Sequence, residues 1–244
     1  MSLDDLRRDW TTLGEQDPLW AVYVAPGKKD GAWDVDQFYA TGQQEVDASL
    51  AHAAELGLTD ARGTALDFGC GVGRLSAALS KAFDKVVSVD ISPPMVAEAK
   101  RLGRCGDNVT FVLNDRSDLS FQPDGTVDLV YSSLVLQHMP ADLAAGYLAE
   151  FGRVLAPGGA AIIQVATRPT LSLRGVLFRT MPAGFVGFLQ KRFLKYPAPM
   201  RMTAMPRPAV EKALDGSGLR IVEEVEETIY GGHFITTRYF LARD

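Results

Sequence analysis

The sequence predicts an α/β fold, in which a doubly wound, mostly parallel seven-stranded sheet with an antiparallel final strand is preceded by helices and interrupted by a helical lid. Three observations predict it. From Thr64 onward, short apolar runs alternate with amphipathic stretches, the pattern of a parallel sheet covered by helices on both faces. A glycine-rich turn, Gly69-Cys70-Gly71-Val72-Gly73, follows the first apolar run and opens a helical stretch, as in open sheets that bind ligands at the carboxyl ends of their strands. A length of 244 residues with 47% hydrophobic content is enough for one good core, and α/β folds often reach this size as one domain.

Met1 to Arg62 reads as helices carrying Trp10, Trp20, Tyr23, Trp33, Phe38 and Tyr39. Thr64 to Phe68 reads as the first strand, Gly73 to Ala82 as a helix, Val86 to Asp90 as the second strand and Pro93 to Leu102 as the next helix. Val109 to Leu113 and Val127 to Tyr131 follow as strands, then Ala141 to Leu155 as a helix. Ala160 to Ala166 is a fifth strand, entered through the turn Pro157-Gly158-Gly159. Pro208 to Asp215 gives a helix stopped by Gly216 and Gly218. Leu219 to Val225 and His233 to Ala242 pair as a closing antiparallel hairpin. The expected organisation is a single domain: residues 1–62 as an N-terminal helical cap, 63–167 as the core, 168–208 as a lid and 209–244 as the last helix and hairpin.

Composition narrows the function. The net charge of -5 offers no general attraction to phosphate backbones, so nucleic acid is not the expected partner. No apolar run reaches the roughly 18 residues of a membrane span, and the charged start from Met1 to Arg8 lacks the apolar stretch of a secretory signal. A cytoplasmic location is expected. The only cysteines, Cys70 and Cys105, build neither a disulfide framework nor a zinc site, and no metal is expected.

Gly69, Gly71 and Gly73 allow a tight turn and close backbone approach to a ligand at a helix N-terminus. Glycine loops of this kind also hold dinucleotides, and the two acids nearby decide between readings. Asp67 precedes the loop, where a carboxylate repels a pyrophosphate but suits the ammonium of a methionine moiety, directly or through water. Asp90 lies 17 residues beyond Gly73, close to the roughly 20 expected of an acid that accepts ribose hydroxyls. Together they favour a nucleoside joined to an amino acid.

With these residues the chain resembles the class I S-adenosylmethionine-dependent methyltransferases of the small-molecule type, whose fold is Rossmann-like. The resemblance rests on Ala65 to Leu75 (ALDFGCGVGRL), on Val89-Asp90-Ile91-Ser92 followed by Met95, and on Asn114-Asp115. It continues through Asp128-Leu129-Val130 with Gln137-His138, and through Arg153-Val154-Leu155-Ala156-Pro157-Gly158-Gly159. It implies S-adenosylmethionine as donor and S-adenosylhomocysteine as product. It further implies that Asp67 and the backbone of Gly69, Cys70 and Gly71, with Gly73 closing the turn, hold the methionine end, and that Asp90 holds the ribose. Ile91 and Met95 would pack on the adenine, Asp115 with the amide of Arg116 would read its edge, and the backbone of Ser132 would close on the methionine side. Cys70 reads as a small buried loop residue rather than a nucleophile. Ser132-Ser133-Leu134 is not the Asn/Asp-Pro-Pro-aromatic signature of enzymes that methylate planar exocyclic nitrogens.

On the acceptor side, the loops after the fourth and fifth strands and before the last one bring forward His138 and His233, whose imidazoles suit a general base toward a hydroxyl or an acidic carbon. His52 looks structural. Residues 168–208 hold eight Lys and Arg and no Asp or Glu, and Phe185, Phe188, Leu189 and Phe193 recur on one helical face. Such a lid suits a small, largely apolar acceptor; contact with a membrane surface is the less favoured reading. Two other functions share parts of the pattern: a module that binds S-adenosylmethionine without catalysis, and a nicotinamide oxidoreductase, whose Gly-x-Gly-x-x-Gly spacing the loop fits badly.

Overall fold

Ser2 starts the first helix with a reciprocal cap, its hydroxyl accepting from Asp5 N at 3.1 Å while Ser2 N donates to Asp5 Oδ2 at 3.0 Å, which satisfies two end donors at once. The resulting helix α1 spans Leu3–Gln16, and α2, Pro18–Val22, follows with proline at its first position. Asp34 then caps α3, Val35–Glu55, accepting from Gln37 N at 2.9 Å. Phe38, Gly42, Val46, Ser49 and Ala53 recur every three or four residues along α3 and are all buried, so that one stripe faces the rest of the protein. The computed structural model describes residues 2–58, 60–170, 189–190, 192–228 and 234–244.

The strands are β1 (Thr64–Phe68), β2 (Lys85–Asp90), β3 (Val109–Leu113), β4 (Val127–Ser132), β5 (Leu155–Pro169), β6 (Leu219–Thr228) and β7 (Phe234–Arg243). They form one sheet in the order β3-β2-β1-β4-β5-β7-β6. Pairing is parallel from β3 to β5, and β7 runs antiparallel between β5 and β6. The helices between the strands are α4 (Ser76–Leu79), α5 (Pro93–Leu102), α6 (Ala141–Val154) and α7 (Arg207–Leu214). Among the described residues no helix is long and apolar enough to cross a membrane.

Because successive strand residues point to opposite faces, Leu66, Phe68, Val130 and Ile163 pack with Leu6, Tyr147, Leu148, Phe151 and Val210 on one side. Ala65, Leu129, Tyr131 and Ile162 pack with Val46, Ala53 and Leu79 on the other. Both faces are therefore covered. From β1 the chain winds outward through β2 and β3, then crosses to β4 on the opposite flank of β1. This reversal leaves a crevice at the carboxyl ends of β1 and β4.

Two expectations shift. The helix expected over Gly73 to Ala82 shrinks to α4, because Gly71 and Gly73 take φ of 53° and 80°, a left-handed backbone that cannot enter a right-handed helix. The turn expected at Pro157-Gly158-Gly159 lies within β5, which starts at Leu155; Gly158 at φ 77° and a register shift opposite Val127 to Leu129 absorb the irregularity as a bulge. His233 and, of the lid, residues 171–188 and 191, which include Phe185 and Phe188, fall outside the described residues.

Gly42 is where α3 touches the site region, since a Cβ there would lie 2.3 Å from the backbone oxygen of Arg74. Gly42→Ala should therefore destabilise the protein by about 1–3 kcal/mol. Gly146 on α6 has open space at its Cβ position, so Gly146→Ala should stabilise by about 0.5–1 kcal/mol. Thermal unfolding of the two variants beside the parent checks both signs.

Candidate functional site

The loop after β1 folds back over the end of β2. Gly69 N and Cys70 N both donate to Val89 O, at 2.8 and 2.9 Å. Asp90 completes the clasp: its Oδ2 accepts from Gly71 N at 2.7 Å and its Oδ1 from Ser92 N at 2.8 Å. Burial pushes the Asp90 carboxyl up, while these two amides work the other way. Gly69, at φ 77°, has no room for a side chain, because a Cβ would sit 2.3 Å from Val135.

Above this clasp lies a cleft of about 710 Å³, its open mouth included. Gly69, Gly71, Val89, Asp90, Ile91 and Met95 form one wall, and Ser133, Leu134, Val135, His138 and Met139 form the facing one. Leu3, Leu6 and Trp10 of α1 close it from above. Among the described residues lining the cleft, Asp90 is the only carboxylate, and neither Lys nor Arg is present. An apolar, water-poor wall of this kind strengthens any electrostatic contact made within it.

Of the residues expected at the donor site, Gly69, Gly71, Asp90, Ile91 and Met95 reach the cleft. The others lie elsewhere. Asp67 is buried beneath the loop, where it accepts from Ser76 Oγ at 2.5 Å, and Ser76 in turn accepts from Ser88 Oγ at 2.8 Å. Burial pushes the Asp67 carboxyl up to about 7, with the Ser76 hydroxyl and Arg74 opposing. Gly73 faces Cys105 and Phe111 behind the loop, and Cys70 is buried, its thiol pushed up by desolvation, which suits a filler rather than a nucleophile. Asp115 is exposed and pairs with Arg7 at 3.6 Å. The cleft wall is formed instead by its neighbour Asn114, whose Oδ1 accepts from Arg116 N at 3.3 Å. Ser132 Oγ donates to Phe68 O at 3.2 Å, joining β4 to β1, and Ser133 takes the place on the wall.

His138 does line the cleft. It closes the short 3-10 turn Leu136–His138, its ring meets the Trp10 ring edge-on with centroids 5.1 Å apart, and its Nδ1 is 2.7 Å from Arg201 O. A carbonyl only accepts, so Nδ1 carries the proton and Nε2 keeps its lone pair. Burial pulls the imidazole down to about 4, partly offset by the bond to Arg201. His52 stands apart on α3, bonded to Glu223 on β6 at 2.5 Å, the structural role expected of it.

Beneath the facing wall runs a charged network that the sequence did not reveal. Glu45 pairs with Arg74 at 2.8 Å and with Arg238 at 3.1 Å. Burial works to raise the Glu45 carboxyl, but the two guanidiniums outweigh it and hold it at about 2. Arg238 continues to Glu227 at 2.6 Å and to Tyr131 Oη at 2.6 Å. Gln164 relays the network to the cleft, donating to Glu227 at 2.6 Å and accepting from Ser133 Oγ and Leu134 N, each at 3.3 Å. Leu134 adopts φ 64°, an uncommon conformation for a branched residue, and these bonds hold it there.

Comparison with known proteins agrees with this geometry. Residues 65–159 match the family model of a methyltransferase domain. The 2-methyl-6-phytyl-1,4-hydroquinone methyltransferase of Synechocystis sp. is 38% identical over 155 residues, 63% of this chain and 48% of that protein. The demethylmenaquinone methyltransferase of Staphylococcus aureus is 35% identical over 134 residues, 54% of this chain and 53% of that one. The chain thus spans about half the length of the curated relatives it matches. Among solved structures, magnesium protoporphyrin IX methyltransferase from Synechocystis with bound S-adenosylhomocysteine superposes with a TM-score of 0.65 at 22% identity, covering 100% of both chains. A S-adenosylmethionine-dependent methyltransferase from Clostridium acetobutylicum follows with a TM-score of 0.58 at 16% identity, covering 84% of this chain and 91% of that one. The strand order, the crevice between β1 and β4 and the matched segment coincide: residues 65–159 match a methyltransferase domain, and the fold is the one that these S-adenosylmethionine-dependent methyltransferases share.

Proposed function

We propose that the chain moves a methyl group from S-adenosylmethionine to a small, largely apolar acceptor, as one unit with residues 1–62 as cap and 168–208 as lid. The observation that carries the reading is Asp90, the single carboxylate lining the cleft among the described residues, set among apolar side chains and glycine backbone at the end of β2. Such a wall accepts a nucleoside with a cationic centre and repels a pyrophosphate, which weighs against a nicotinamide cofactor. Each Asp90 oxygen already accepts one amide and retains a lone pair for a ribose hydroxyl. Ile91 and Met95 offer an apolar slot for a purine, and Asn114, rather than Asp115, supplies polar groups at its edge. The bound donor supplies a methyl group on a positively charged sulfur.

What the protein contributes is placement in a dry cleft, with the acceptor about 3 Å from the methyl. His138 Nε2 is the group we assign to accept a proton from the acceptor's hydroxyl or acidic carbon. His233, the other candidate base, lies outside the described residues, and its role stays a proposal on sequence grounds. Asp67 acts from below the loop as a buried acid whose ionisation a donor ammonium would favour. The apolar lining fits acceptors of the kind that the relatives' names describe, a phytyl hydroquinone and a menaquinone precursor. Incubating the protein with the donor and a panel of prenylated hydroquinones, and following S-adenosylhomocysteine, separates an enzyme from a module that only binds the donor.

Asp90→Asn should weaken donor affinity in calorimetry by about tenfold or more, the loss expected from one charged hydrogen-bond partner; unchanged affinity would sink the site assignment. Asp67 gives a pH signature. Its folded pKa lies above the ordinary 3.8, so its contribution to stability is greatest below that value and falls as pH rises toward about 7. Asp67→Asn should therefore raise the Tm of the ligand-free protein at pH 8 by about 2–4 °C, with the gain vanishing near pH 4, while donor affinity drops.

His138 tests the base. Its depressed pKa keeps it neutral down to about 4, so kcat/KM should be flat through pH 6–7 on this limb and decline only in the acid range. His138→Asn retains a donor for Arg201 O yet lacks Nε2, and should lower kcat by about 10²-fold or more. Near-normal turnover by that variant would leave placement alone as the account.

A further inference from the structure

The two large apolar side chains most open to solvent among the described residues are neighbours. Phe193 is 67% exposed and Leu194 52%, against 36–45% for Leu113, Phe121 and Val225, which are scattered elsewhere. Arg192 and Lys195 flank the pair and are exposed as well, with the Arg192 guanidinium 5.6 Å from the Phe193 ring centroid. Other basic residues of the same stretch are paired: Arg168 with Glu226, Arg201 with Asp9, and Arg207 with Glu211 and Glu224. Among the described residues, neither Arg192 nor Lys195 has an acidic partner.

The pair is held out by built structure. Lys195 turns the chain with φ 52°. Leu194 N and Tyr196 N both donate to Gln190 O at 3.1 Å. The Gln190 side chain is buried and grips Met200 from both sides, Nε2 to the carbonyl at 3.0 Å and Oε1 from the amide at 3.1 Å. Behind this knuckle, Tyr196 meets Trp20 edge-on at 4.8 Å, Ala198 and Met200 pack in the cap with Trp20, Phe38 and Met95, and Arg201 holds His138. The knuckle therefore stands on a strap that bonds, through Arg201 O, to His138 on the cleft wall.

We propose that the 192–195 knuckle docks on an anionic lipid bilayer. A tip of two apolar side chains between two cations that have no acidic partner among the described residues matches the acyl–headgroup boundary, where apolar groups sink in and cations meet phosphate. Charge complementarity argues for this occupant: residues 168–208 hold eight Lys and Arg and no acid, while the whole chain carries -5. An anionic surface attracts this stretch and repels the rest, which orients the protein with the knuckle down. Resting on the methyl-transfer reading, the consequence is that an acceptor with a lipid tail reaches the cleft from the bilayer without crossing water.

The test is co-sedimentation of the full chain with vesicles of phosphatidylcholine alone and with about one-third phosphatidylglycerol. Binding is expected to the anionic vesicles only, and to weaken as salt is raised. Phe193→Ser with Leu194→Ser should lower it by at least about tenfold, and Arg192→Gln with Lys195→Gln should abolish the anionic preference. Phe121→Ser, on a distant exposed ring, should bind as the parent does. Each variant's Tm and donor affinity, read on the same samples, show that the fold is intact. No sedimentation with anionic vesicles, equal binding to neutral ones, or parent-like binding by the Phe193/Leu194 variant overturns the proposal. Donor binding without vesicle binding overturns docking and leaves methyl transfer standing; vesicle binding without donor binding does the reverse.

Discussion

The carboxylate of Asp90, reaching two backbone amides across the end of β2, is the contact on which the glycine-loop wall of the cleft depends. One oxygen holds Gly71 N and the other Ser92 N, so the turn after β1 and the turn leading into α5 share one anchor. Without it, two backbone donors beside the cleft would lose their partner, each at a cost of about 1–3 kcal/mol if left buried. Among the described residues the same side chain is the only carboxylate on the wall. Fold and proposed ligand recognition thus draw on one group, which explains why a charged residue is kept where burial disfavours its charge.

Under the loop, charge is arranged in layers. Burial raises the Asp67 carboxyl to about 7 against the Ser76 hydroxyl, while Glu45 is kept ionised between two guanidiniums. Removing both arginines would strand the Glu45 carboxylate, a loss of the order of 3–5 kcal/mol in comparable pairs. The network therefore ties α3, β4, β5, β6 and β7 to one geometry, and Gln164 carries that geometry to Ser133 and Leu134 on the wall. Placement of the acceptor, the main contribution assigned to the protein, rests on this framework.

Much of this was legible in the sequence, for stated reasons. Strands buried on both faces read as apolar runs, and β1 to β4 appear within a residue of their expected bounds. Asp90 was singled out by its spacing from the glycines, which follows from the length of a helix and a strand, and it lines the cleft. At the β3 exit a one-residue step decides which side chain turns inward, so Asn114 lines the cleft while Asp115, the residue the sequence pointed to, faces out. The wall made by α1 was not foreseen: Trp10 read only as one of the aromatic residues of the N-terminal helices, and Leu3 and Leu6 were not singled out. The Glu45–Arg74–Arg238 network joins residues from distant parts of the chain, and charges of that kind look like solvated surface until the fold brings them together.

The position of β7 sets an order of assembly. It is made after β6 yet lies between β5 and β6, so on the ribosome β5 waits as an open sheet edge while β6 has no strand to join. Arg238 arrives on that same strand, and until then Glu45 and Glu227 lack their shared counter-charge. Edge closure and charge neutralisation are thus completed in one step, which leaves the nascent chain exposed to wrong strand pairing until β7 inserts.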